Sequence, residues 1–122
     1  MRLAVVAIAL GVTLAMNAAA VPTPSPEPFF KGKTITVYAG GPAGGGYDLY
    51  ARLIARHFGR HVPGAPAVMV SNVPGGGGPI AVNLVYNVAA KDGTALGIVR
   101  QSVSEDQAMQ IESVQYDVQK FN

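Results

Sequence analysis

The sequence predicts an α/β fold, a parallel sheet built in the order β-α-β-α-β. Three observations predict it. Short β-branched or apolar runs recur at Thr34–Tyr38, Ala67–Val70 and Thr94–Val99. Longer stretches with helical spacing, Tyr47–Phe58 and Ile80–Val88, separate them. A glycine-rich loop joins each of the first two strands to the helix that follows. Strands that alternate with helices pair in parallel through right-handed crossovers. Ligands of such sheets bind beyond the carboxyl ends of the strands.

The chain of 122 residues holds one domain at most. Its first 20 residues read as an export signal. Arg2 supplies a positive start, Leu3–Met16 is apolar apart from Gly11 and Thr13, and Ala18-Ala19-Ala20 offers a small-x-small cleavage site. The apolar run is shorter than the roughly 20 residues a membrane span needs, so cleavage after about Ala20 and export are expected, with no membrane-embedded part left. The next stretch, 21–31, opens with Val-Pro-Thr-Pro-Ser-Pro-Glu-Pro, an alternation expected to form an extended tether. Residues 32–122 then carry the fold.

Charge and cysteine usage exclude several classes. Nine basic residues face seven acidic ones, and Arg2 leaves with the signal. Without clustered lysine and arginine, a nucleic-acid partner is not expected. The absence of cysteine rules out disulfides, thiolate metal sites, a thiol nucleophile and a lipid-modified N-terminal cysteine.

Each element has its own justification. Lys31-Gly32-Lys33 is a turn, and Phe29-Phe30 before it can pack back onto the domain. Thr34–Tyr38 is a β-branched strand. In the first helix Leu49, Tyr50, Leu53, Ile54 and Phe58 fall on one face, expected to be the inner one, while Arg52, Arg56 and Arg60 share another. Gly59 is the expected C-cap. Ala67–Val70 is continuously apolar, as in a strand buried on both sides. Ile80, Leu84, Val85 and Val88 make the expected inner face of the second helix. Lys91-Asp92-Gly93 turns into the third strand. Ser104-Glu-Asp-Gln107 fits a capping box that opens a short helix through Ile111. Residues 115–122 show no clear pattern. An open parallel sheet of three strands usually continues, so the chain reads as the first part of a larger fold.

The two glycine loops carry the chemistry. Five glycines fall within seven residues from Gly40 to Gly46, and four more follow Pro74. A helix that starts from such a loop offers free N–H groups and the positive end of its dipole, a setting suited to an anion. Tight turns alone would also use glycine, though runs this long exceed what a turn requires. A phosphate loop needs a lysine and a Ser/Thr that neither loop supplies. Gly76-x-Gly78-x-x-Ala81 does satisfy the looser dinucleotide pattern, so a dinucleotide-binding enzyme domain stands as the alternative. A carboxylate suits an exported protein better. The candidate contacts are Ala43, Gly44, Gly45, Gly46, Tyr47 and Asp48 in the first loop and Pro74, Gly75, Gly76, Gly77 and Gly78 in the second. Ser102 joins them, because Arg100, Gln101 and Ser102 follow the third strand at the same edge.

Asp48 reads first as a helix-start residue that uses its carboxylate on free backbone N–H groups, and alternatively as a contact to a ligand ammonium or hydroxyl. His57 and His61 have metal-ligand spacing, but Gly59 intervenes and no third ligand is evident. Ser102 and Ser104 lack a His and an acid placed for a triad. Catalysis, a metal and a cofactor are therefore not expected.

Read in order, these segments resemble the extracytoplasmic solute receptors of tripartite tricarboxylate transporters, the Bug-type family. The matching text is Gly32-Lys-Thr-Ile-Thr-Val37, Pro42-Ala-Gly-Gly-Gly-Tyr-Asp48, Ala51-Arg-Leu-Ile-Ala-Arg56, Asn72-Val-Pro-Gly-Gly-Gly-Gly78 and Asn87-Val-Ala-Ala-Lys-Asp-Gly-Thr-Ala-Leu-Gly97, with Val114–Asn122 similar to the segment that follows. Gly76 stands where alanine is usual. The resemblance implies a periplasmic-binding-protein-like lobe whose loops at Ala43–Asp48 and Pro74–Gly78 line a cleft. By that resemblance the protein works in the periplasm, where backbone amides and ordered waters of the cleft would hold a small carboxylate for delivery to a membrane permease. Family members continue into the rest of this lobe and a second lobe, which is absent here, so the resemblance implies that this stretch is one side of the site.

Overall fold

The structure, a computed structural model, describes residues 27–76 and 78–121. The expected signal at 1–20, most of the tether and Gly77 lie outside the described residues. The end of the tether departs from expectation. Glu27–Phe30 forms a single helical turn, α1, and Lys33 N–H donates to the Phe30 carbonyl at 3.0 Å. Phe30 lies against Gly93, which fixes where the N-terminal segment joins the domain.

Strands β1 (Thr34–Ala39), β2 (Ala67–Asn72) and β3 (Ala95–Ile98) form a parallel sheet in the order β2-β1-β3. Helix α2 (Gly46–Phe58) connects β1 to β2, and α3 (Pro79–Asn87) connects β2 to β3. The α/β class and the element order expected from the sequence are both present.

Register assigns the faces. Val37 pairs with Val70 and Leu96, so all three point to one side, where Val37 and Ala39 pack with Ala51 of α2. Gly97, paired with Tyr38, points to the other side and lies next to Val85 of α3. The helices therefore cover opposite faces, as two right-handed crossovers running in opposite directions require.

The helix faces differ from the periodicity reading. The buried residues of α2 are Asp48 and Ala51, whereas Leu49, Tyr50 and Leu53 are exposed, Tyr50 to 66%. In α3 the buried side chains are Pro79, Ala81 and Val82, while Ile80 is exposed and Val88 lies just beyond the helix, 77% exposed. The physical reason is close approach: Ala51 and Ala81 let each helix axis come down onto the sheet, which lifts the flanking larger residues outward. The continuous apolar run of β2 does not mark burial on both sides either, because β2 is an edge strand and Met69 is exposed.

Gly59 is the C-cap of α2, as expected, but its φ of −56° is right-handed, so the cap is not the left-handed kind that favours glycine. A side chain there would meet the Pro66 carbonyl oxygen at 2.4 Å and Val68 Cγ2 at 3.2 Å. Glycine is needed for the return of the chain into β2.

The expected capping box does not form. Helix α4 spans Val103–Ala108, starts from Ser102 and has no side-chain cap. The segment without a sequence pattern is strapped along α3. Asn83 donates to the Ser113 carbonyl and accepts from Gln115 N–H, and Asn87 donates to the Gln115 carbonyl. Tyr116 is buried behind this strap, its hydroxyl donating to the Val103 carbonyl at 3.0 Å. Among the described residues no helix is long and apolar enough to cross a membrane.

Gly59→Ala should destabilise the fold by about 1–3 kcal/mol, the usual cost of overpacking a tight contact. Gly46→Ala, at an exposed helical position with no neighbour within 4 Å, should be neutral or stabilising by up to about 1 kcal/mol. Urea denaturation of the two variants checks the contrast.

Candidate functional site at the carboxyl edge of the sheet

All three strands end at one edge. Gly40 and Gly41 follow β1, Val73 and the second glycine loop follow β2, and Arg100 and Ser102 follow β3. In the first loop, Gly45 N–H donates to the Pro42 carbonyl at 3.1 Å. That closes a tight turn with Gly44 at φ +81°, a conformation open to glycine.

Asp48 organises this loop. Only 2% exposed, its carboxylate accepts from Gly44 N–H at 2.7 Å, Arg52 Nε at 2.9 Å and Asn72 Nδ2 at 2.9 Å. Asn72 Nδ2 also donates to the Gly41 carbonyl at 3.3 Å. Hydrogen bonds from Arg52 first, then from Gly44 and Asn72, hold the Asp48 carboxyl down at about 2, against the opposing effect of burial. The carboxylate therefore binds the start of α2 to the end of β2. It does not cap its own helix, and its two oxygens are engaged by groups of this chain.

The N-terminus of α2 stays open as a result. Its first intrahelical bond runs from Leu49 N–H to the Gly45 carbonyl. The N–H groups of Gly46, Tyr47 and Asp48 precede that ladder, and no side chain caps them. Gly46 is the one glycine of the 44–46 run with neither a positive φ nor a close neighbour. Tyr47 is exposed, its ring against Gly41 at 3.5 Å from a Cβ built there.

The second loop is more enclosed than the sequence suggests. Pro74, Gly75 and Gly76 are exposed, but the side chain of Ile80 folds over Gly75 and Gly76. Gly78 is buried at φ +117°, and the stem of Arg100 fills the space where its Cβ would stand. Most glycines of both loops thus have a local structural reason, which weakens the argument that their number alone marks a binding site. The loop then crosses the end of β1, where Ala81 Cβ lies 3.3 Å from a Cβ built on Gly40.

Ser102 is brought to the same edge, but its hydroxyl accepts from Arg100 Nε at 2.6 Å. Arg100 also pairs with buried Asp106 at 2.5 Å. Ala43 is exposed at the tip of the first turn. His57 and His61 lie far along α2 and beyond it, and both rings accept from Arg60, at 2.8 and 3.2 Å.

Sequence reasoning missed Asn72 and underrated Arg52. The i,i+4 spacing of Asp48 and Arg52 was a usable signal. Asn72 reaches Asp48 across 24 positions, and nothing in its local sequence announces that. No protein-family model, curated protein or solved structure matches this chain.

Because the folded Asp48 carboxyl titrates at about 2 and an ordinary one at 3.8, its contribution to stability is present above pH 3.8. It is lost as pH falls from there through about 2. An NMR titration of the Asp48 carboxyl should give a midpoint near 2. Asn72→Ala should raise that midpoint and lower the urea midpoint measured at pH 7.

Proposed function

We propose that this chain is one wall of an extracytoplasmic receptor for a small carboxylate, of the type that serves tripartite tricarboxylate transporters. The observation that carries the reading is the open N-terminal turn of α2. The N–H groups of that turn carry no side-chain cap and Gly46 and Tyr47 are exposed there, while the one acid of the turn is already engaged by Gly44, Arg52 and Asn72. A bound carboxylate would replace water on these N–H groups and gain the dipole interaction without facing a bare negative charge. Tyr47, exposed beside Gly41, would donate its hydroxyl to the ligand or close over it. The reading includes export, signal cleavage after about Ala20, a second lobe as the other wall and delivery to a membrane permease. It requires no catalysis, metal or cofactor.

The dinucleotide alternative fits less well. A pyrophosphate must approach bare glycine backbone, and at the second loop Ile80 and Arg100 occupy that approach.

Calorimetric titration with mono-, di- and tricarboxylates tests the proposal. Gly46→Asp should leave the fold intact, since an acid in the first helical turn is stabilising by ~0.3–1 kcal/mol. The same change should weaken carboxylate binding by roughly tenfold or more through like-charge repulsion. Absence of heat with every carboxylate, or binding unaffected by Gly46→Asp, would reject the reading.

A further inference from the structure

The far end of α2 carries a side-chain cluster that the carboxyl edge does not use. His57 sits in the last turn of the helix, and a short 3-10 turn, Gly59–His61, follows with Arg60 and His61 on it. The sequence suggests that Gly59 separates the two histidines. Its φ of −56° and ψ of −37° instead keep the backbone helical there. The i,i+4 spacing of His57 and His61 therefore survives as a shared face.

Both imidazoles turn a ring nitrogen to the same group. Arg60 Nη2 donates to His57 Nδ1 at 2.8 Å, and Arg60 Nε donates to His61 Nε2 at 3.2 Å. A guanidinium is always charged and can only donate, so both of these nitrogens are acceptors. Nε and Nη2 form the fork that ordinarily takes the two oxygens of one carboxylate. The two imidazole lone pairs thus stand side by side around a positive charge. All three side chains are exposed and fall within five consecutive residues, 57–61, so α2 and the turn after it set the arrangement by themselves. The negative end of the α2 dipole lies at the same place and favours a cation, which offsets in part the charge of Arg56 in the last turn.

We propose that His57 Nδ1 and His61 Nε2 form a two-imidazole site for a divalent transition-metal ion of the copper(II) or zinc class, with Arg60 standing in for that ion. Neutral imidazole suits these metals, and copper(II) binds such donors more tightly than zinc does. Water completes the coordination. An imidazole holds the ion at about 2.0–2.1 Å, closer than either ring stands to Arg60, so the exposed rings draw together as the guanidinium leaves. Displacing Arg60 costs little, because an exposed guanidinium exchanges these hydrogen bonds for bonds to water. Calcium and magnesium require oxygen ligands. Asp48, the one acid between Gly46 and His61, is engaged at the opposite end of the helix. The site therefore selects against hard ions, and it is separate from the glycine loops.

Titration of the full chain with copper(II), followed by visible absorption and by electron paramagnetic resonance, tests this. One ion per chain is expected at this site, with hyperfine splitting from imidazole nitrogen. Zinc should compete for it, and a large excess of calcium or magnesium should not. His57→Ala and His61→Ala should each weaken binding by at least about tenfold, since losing a ligand costs no less than losing a supporting contact. Arg60→Ala should strengthen binding by roughly three- to tenfold, because it removes the competing like charge. A cluster that serves only to tidy the helix end would not gain affinity from that change. Thermal melts confirm that each variant is folded, as expected at exposed positions. Copper binding undiminished in either histidine variant, no gain or a loss with Arg60→Ala, or equal competition by calcium would each overturn the proposal.

Discussion

Three donors from different parts of the chain converge on the Asp48 carboxylate: Gly44 from the loop, Arg52 from one turn along α2 and Asn72 from the end of β2. Everything at the carboxyl edge depends on that convergence. It stops the glycine turn from drifting, sets the angle at which α2 leaves the sheet, and links the first loop to the strand that feeds the second. A nearly buried carboxylate is tolerable because its hydrogen bonds favour the charged form by more than burial disfavours it. A loop rich in glycine loses much conformational entropy on ordering, and bonds to an ionised group are among the stronger means of offsetting that loss.

The rest of the molecule is thinly covered. Val37, Ala39 and Ala51 form the buried centre, and larger side chains from β2 and β3 close only partly over it. Among the described strands both outer ones are edges, and the apolar residues of α2 point largely to solvent. Large contiguous exposed apolar area is uncommon on a monomeric protein.

The strands and loops were legible because their signals are local. Thr34–Val37 reads as a strand from β-branching, and a run of glycine and proline reads as a break whatever surrounds it. The helix faces were not, because in these helices hydrophobicity does not track burial. In α2 the pattern Leu49, Tyr50, Leu53, Ile54 is a sound amphipathic face, yet Ala51 meets the sheet. Gly59 and Gly78 were readable as special positions, but the reasons differ: a carbonyl oxygen from Pro66 and the stem of Arg100 occupy the space. The clip at Asp48 needed Asn72, and only the parallel register of β1 and β2 brings that residue within reach. Nothing in residues 113–116 marks them as a strap, because the asparagines that bind them sit on α3.

The strand order also governs how the chain can assemble. The central strand is the first to be synthesised, and it has no partner until the chain has passed through α2 to β2. Its second partner arrives only after α3, when Thr36 meets Ala95 across most of the described chain. No hairpin can seed such a sheet, and each pairing must close a long loop before any hydrogen bond rewards it. The β1-α2-β2 unit, with the Asp48–Asn72 bond at its mouth, is the smallest piece that can form as the chain grows. Folding of this molecule is thus ordered by connectivity, from one side of the central strand to the other.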